Sequence, residues 1–199
     1  MSSPTTRLRK SSPVLALLLL AAFALSACGN SETKVTTGTY AGESGQNAPY
    51  LNVGPLVYEV QLSRELNPEN VEDAAYLQGL TPRQRRLLPG EEWFAVFIQV
   101  YNHSSVPHPG ASSITISDTQ NNIYSPIVPG PANPFAYRGG LIPANSRVPA
   151  PSTIAANGGT QGALLLYKIQ VVSLDNRPLT IRLVDPRNAT QRASAELDV

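Results

Sequence analysis

Residues Trp93 to Tyr101 read WFAVFIQVY, and this stretch decides the fold. Successive side chains of a strand point to opposite faces. Phe94, Val96, Ile98 and Val100 therefore share one face, and Trp93, Ala95, Phe97 and Tyr101 share the other. Both faces are apolar, the pattern of a central strand covered on two sides. Upstream, Leu56 to Leu62 (LVYEVQL) alternates, which predicts Leu56, Tyr58, Val60 and Leu62 on one face. Downstream, Ser112 to Ser117 and Ile123 to Ile127 read as short strands around the polar turn Asp118–Asn122. Gly162 to Val172 places Leu165, Tyr167, Ile169 and Val171 together, and Leu179, Ile181 and Leu183 alternate with Thr180 and Arg182. A weaker strand runs from Arg192 to Val199.

Two segments break the strand pattern. Asn67 to Leu77 (NPENVEDAAYL) has the marks of a helix start: a capping Asn67, Pro68 in the first turn, and acidic residues after it. Gly79 suits its end, and Thr81-Pro82 opens a second short helix through Arg85, Arg86 and Leu88. The pair is expected to cover the aromatic face of Trp93, Phe97 and Tyr101. Pro129 to Pro151 is rich in Pro and Gly and reads as a long loop. Short strands separated by turn signals predict a mainly β chain. The expected architecture is an immunoglobulin-like antiparallel β-sandwich, with a short helical insertion between its first two strands.

The rest of the composition agrees. The chain has 199 residues, 15% of them charged, with 14 Gly and 18 Pro. Charge is low for a globular protein, and turn formers are abundant. The N-terminal segment reads as an address. Arg7, Arg9 and Lys10 precede an unbroken apolar run from Val14 to Leu25. That run is too short to span a bilayer, which takes about 20 helical residues, and it fits a signal-peptide core. Leu25-Ser26-Ala27-Cys28 follows and resembles the bacterial lipobox. The resemblance implies a lipoprotein signal peptide over residues 1–27, cleavage after Ala27, and acylation of Cys28 as a membrane anchor. Cys28 is the chain's only cysteine, so no disulfide is available within it. Residues 28–50, from GNSETKVTTG onward, are polar and without periodicity, and read as a flexible tether. Residues 51–199 make the domain. Cleavage removes three of the 15 Lys and Arg and leaves the rest facing 14 Asp and Glu. Electrostatic capture of nucleic acid is therefore not expected.

Candidate chemistry is sparse. His103 and His108 flank a Pro-containing turn, and with Asp118 they are the candidate metal ligands. The same loop offers Ser104 and Ser105 beside His103, with nothing in the sequence to orient a triad. No phosphate-binding glycine motif is present, and no cofactor is expected. Arg83, Arg85 and Arg86 form a basic cluster. Arg64, Asn67, Glu72, Asp73 and Tyr76 make an unusually polar strand-to-helix corner, which reads either as a structural network or as a docking surface.

The lipobox, the tether, the WFAVFIQVYNHS strand ending in Asn102, the Ser117-Asp118 turn and the Gly162–Val171 strand together resemble the immunoglobulin-like domains of uncharacterised bacterial lipoproteins. The expectation is a non-enzymatic binding or accessory domain, lipid-anchored on the extracytoplasmic face of the cell membrane. It would dock an envelope protein through residues 67–90 and 129–151. The alternative is a small-molecule or metal-ion-binding lipoprotein that uses the His103/His108 loop.

Overall fold

The computed structural model describes residues 32–36 and 50–197. The expected signal peptide, Cys28 and residues 29–31 and 37–49 of the expected tether lie outside the described residues. The described residues form a mainly β sandwich of two five-stranded sheets, antiparallel except for one strand pair. The first sheet has the order β1 (Glu32–Thr36), β12 (Arg192–Leu197), β11 (Leu179–Val184), β6 (Ser113–Ser117), β7 (Ile123–Tyr124). The second has the order β10 (Ala163–Gln170), β4 (Glu91–Asn102), β3 (Leu56–Leu66), β2 (Tyr50–Val53), with β9 (Ser146–Val148) added to the end of β4. β5 (His108–Pro109) and β8 (Leu141–Ile142) form a separate ribbon within the loops.

β4 is the central strand its sequence predicts. Residues 93 to 98 are all 2% exposed or less, which requires cover on both faces. Phe94, Val96, Ile98 and Val100 enter the core between the sheets, with Leu165, Tyr167, Ile181 and Leu183. Trp93, Ala95 and Phe97 enter a second, smaller core with Leu62, Leu66, Tyr76, Leu77, Leu80, Leu164 and Leu166. The insertion supplies the roof of this second core. Its helices are α1 (Val71–Tyr76) and α2 (Pro82–Arg85). A third short helix, α3 (Ile154–Asn157), precedes β10.

Several expectations are corrected. Leu62 does not share a face with Leu56, Tyr58 and Val60. A β-bulge lies between Val60, opposite Ile98, and Leu62, opposite Phe97. One extra residue in a strand reverses the facing of all that follow, so Leu62 and Leu66 join the second core. The cap of α1 is Asn70, whose Oδ1 accepts from the amides of Glu72 and Asp73. Asn67 instead turns the chain before it, accepting from the Glu69 amide. Tyr101 lies beyond the helical roof and donates to Glu59 and Gln99. Val171 is half-exposed in a 3₁₀ turn after β10 rather than in the strand.

The insertion lies between β3 and β4, because β1 and β2 precede them. β1 comes from the stretch read as tether. It pairs parallel with β12, Glu32 opposite Arg192 through Thr36 opposite Glu196. β12 otherwise ends its sheet with unpaired backbone groups, and an edge of that kind recruits any compatible strand. Polar composition did not reveal this, since the pairing uses the backbone.

Candidate functional site

The two long irregular segments meet on the outer face of the second sheet. Asn133, in the Pro/Gly-rich loop, is 3% exposed and has all its bonding capacity in use. Its Nδ2 donates to the carbonyls of Tyr76 (2.8 Å) and Gln78 (3.0 Å), and its Oδ1 accepts from the amides of Phe135 and Ala136. The Gly130 amide donates to the Gly79 carbonyl at 2.9 Å. Phe135 packs edge-on against Tyr76, with ring centroids 4.9 Å apart. Arg138 closes the loop on itself through the carbonyls of Pro129, Gly130 and Asn133. Residues 67–90 and 129–138 therefore form one layer.

The predicted polar corner lies within this layer. Arg64 is ion-paired with Asp73 at 2.5 Å, and the other Asp73 oxygen accepts from the Asn67 amide. Burial works against ionisation of Asp73, but the Arg64 bond and the Asn67 amide outweigh it and hold the carboxyl below its ordinary range. Arg64 also lies over the Tyr76 ring, 5.9 Å from its centroid. Tyr76 donates to Glu72 at 2.9 Å, and Glu72 also accepts from Thr160. These five residues are brought together, and their polar atoms bond mainly to one another. Arg83, Arg85 and Arg86 are exposed beside them. Arg85 donates to the Leu77 carbonyl at 2.9 Å, and the Arg86 carbonyl accepts from Lys168, whose ammonium sits 5.2 Å from the Trp93 ring centroid.

The remainder of the loop, residues 139–151, lies elsewhere. It belongs with Asn102 at the other end of β4. Asn102 is 1% exposed; its Nδ2 faces the carbonyls of Val106, Ile142 and Pro143, and its Oδ1 accepts from Ser104. One buried amide thus gathers two loop segments, 104–106 and 142–143. Beside it opens a cleft of about 470 Å³ lined by Tyr101, His103, Asn145, Ser146, Arg147 and Pro151, among others. The His103 ring stacks on Tyr101 at 5.7 Å with an interplanar angle of 4°. Burial, then the bond to Glu59, push the Tyr101 hydroxyl up to about 12, so it stays a neutral donor at ordinary pH.

The expected metal trio is not assembled. His103 and His108 follow β4 at one end of the sandwich, and Asp118 follows β6 at the other. Asp118 is instead a turn anchor. One oxygen accepts from the amides of Gln120 and Asn122, and the other from the Asn122 side chain and the Ser173 hydroxyl. Burial opposes its charge, yet these bonds prevail and bring its pKa down to about 2. Among the described residues, no three His, Cys, Asp or Glu come together as a metal site. Ser104 bonds to Asn102 and the Val106 carbonyl, so it has no catalytic alignment with Asp118. Sequence reading missed Asn133 and the role of Asn102 as a loop clamp. An isolated Asn in a Pro/Gly-rich segment carries no periodic signal.

No protein-family model matches the chain, and no curated protein matches its sequence. The chain is similar at low identity to the following solved structures. The yjhA protein from Bacillus subtilis is 11% identical with a TM-score of 0.47, over 75% of this chain and 97% of that one. The Bacillus subtilis protein ycdA, described as a candidate lipoprotein, is 8% identical with a TM-score of 0.43. That match covers 77% of this chain and 39% of ycdA. An uncharacterised β-sandwich protein from Clostridium difficile is 10% identical with a TM-score of 0.36, over 83% of this chain and 96% of that one.

Proposed function

We propose that this chain is a lipid-anchored, extracytoplasmic, non-enzymatic accessory domain of the bacterial cell envelope. It docks an envelope protein through the layer formed by residues 67–90 and 129–138. The observation that carries this reading is the Gly130–Gly79 backbone bond, together with the Asn133 clamp on Tyr76 and Gln78. These bonds fix two segments about fifty residues apart as one preformed surface. A preordered surface loses little conformational entropy on binding. Val71 (89% exposed) and Leu88 (55%) supply apolar contact on that surface, and Arg83, Arg85 and Arg86 supply charge.

Photo-crosslinking of the full-length protein in intact cells tests the reading. A crosslinkable residue replaces Val71, Arg83 or, as a control at the other end, Asn145. A discrete adduct from Val71 and Arg83, absent from Asn145 and reduced by Arg86→Glu, supports docking. Equal or absent adducts at all three positions overturn it. Mass analysis of Cys28 in the same preparation tests the anchor.

A second reading is favoured by the cleft beside Asn102: capture of a small molecule between the Tyr101–His103 stack and Arg147. Saturable ligand-induced shifts of the His103 ring resonances, lost in Arg147→Ala, would support it.

A further inference from the structure

We infer that β1 holds the sandwich upright on the membrane, with the Asn102 end against the lipid surface and the Asp118 end pointing away. The inference rests on acylation of Cys28, as proposed above, and adds the orientation that follows from it.

The first observation is covalent reach. Cys28 precedes Glu32, the first residue of β1, by four positions. Four residues span at most about 14 Å in any conformation. A tether running from residue 28 to residue 50 would let the domain turn freely; a leash that ends at residue 32 does not.

The second observation is direction. β1 runs parallel to β12, so Glu32 lies beside Arg192. Arg192 pairs with Val184, and Val184 pairs with Ser113. The leash therefore enters at the edge of the sheet where β12 and β6 begin and β11 ends. The second sheet is aligned with it. Gly54, in the β2–β3 turn, lies so close to Asp185 that a side chain there would strike its carboxylate. At the same end β4 finishes at Asn102. The opposite end carries Asp118, bonded to Ser173 beyond β10; the β3–β4 connection leaves from there and folds back over the outer face of the second sheet. Twelve residues of β4 make the sandwich roughly 40 Å long at about 3.4 Å per residue.

The near end has the surface chemistry of a membrane contact. Val106 (53% exposed) and Leu141 (66%) project from loops gathered by Asn102, and Arg187 is exposed in the β11–β12 turn. Two apolar tips and a basic side chain can enter the interfacial region of an anionic bilayer; Ile123 (69% exposed) and Val172 (56%) are comparable at the opposite end, so reach and direction decide the orientation. The short leash entering here makes the bilayer that holds the anchor the occupant of this end. Its opposite end, with Asp118, faces outward.

The test uses full-length acylated protein in vesicles of phosphatidylethanolamine and phosphatidylglycerol that carry a headgroup quencher. A fluorophore is attached at Ala189→Cys, near the leash, or at Gln120→Cys, at the far end; acylation caps Cys28. The expected result is at least threefold stronger quenching at position 189 than at 120. A flexible ten-residue insert between Gly29 and Asn30 should abolish most of that difference. Equal quenching at both positions in protein whose mass shows acyl chains on Cys28 overturns the orientation alone. Absence of acyl chains overturns the anchor and the orientation together, and the mass distinguishes the two cases.

Discussion

The Gly130 amide and the Gly79 carbonyl are joined at 2.9 Å, and a Cβ on Gly130 would sit 2.9 Å from that same carbonyl oxygen. Two backbones approach so closely only where one residue lacks a side chain. This contact joins the helical insertion to the Pro/Gly-rich loop. Gly79 adds a second constraint, since its φ of +76° favours glycine.

Gly130→Ala is therefore expected to push the loop off the insertion and cost about 1–3 kcal/mol, in the range of overpacking a tight site. Chemical denaturation of the residue 28–199 domain measures the loss. Gly140→Ala is the comparison. Its φ, unlike that of Gly130, is positive, at +82°, and a Cβ there meets nothing within 4 Å. Only backbone strain should appear, about 1 kcal/mol.

Asn133→Ala leaves the carbonyls of Tyr76 and Gln78 and the amides of Phe135 and Ala136 without their partner. Unsatisfied buried groups cost about 1–3 kcal/mol each when water cannot reach them. A net loss of about 2–4 kcal/mol is expected. Hydrogen exchange should speed at residues 76–80 and 133–137 while β11 and β12 stay protected. Uniform loss of protection would show that the layer does not unfold separately.

Gln61 occupies the bulge in β3, 8% exposed, and neither its Nε2 nor its Oε1 has a hydrogen-bond partner. Gln61→Met removes both unsatisfied atoms at similar volume. Stability should be unchanged or rise by up to about 2 kcal/mol, because a lone buried polar group costs more than an apolar one. A clear fall in the urea midpoint would show that the amide is bonded in solution.

Asp118 and Asp73 both ionise below their ordinary range, Asp118 at about 2, because hydrogen bonds or an ion pair outweigh their burial. A carboxyl with a depressed folded pKa stabilises fully above its unfolded pKa, about 3.9, and that stability is lost as pH falls through the folded value. Unfolding free energy should thus be flat near neutrality and decline from about pH 4 toward pH 2. Asp118→Asn should be less stable at pH 7 and show a shallower decline. A wild-type-like slope in that variant would remove Asp118 as a source of the acid sensitivity.

The sequence by itself determined the sandwich, the two-sided burial of β4 and the helical insertion. These features are written in period-two alternation, in capping residues and in composition, all of which act over a few neighbouring residues. Trp93, Ala95 and Phe97 announce a second core before any roof over it is known. Tertiary structure alone decided the rest. The bulge at Gln61 turns Leu62 to the other face, and a single extra residue leaves the alternation intact to the eye. Separation of His103 from Asp118 follows from the run of β6, which carries the chain from one end of the sandwich to the other. Asn133 and Asn102 become clamps only when distant carbonyls converge on them. The pairing of β1 with β12 is made through backbone groups common to every residue, so no side-chain pattern marks it. Short-range chemistry fixed which elements form; long-range backbone pairing fixed which ends meet.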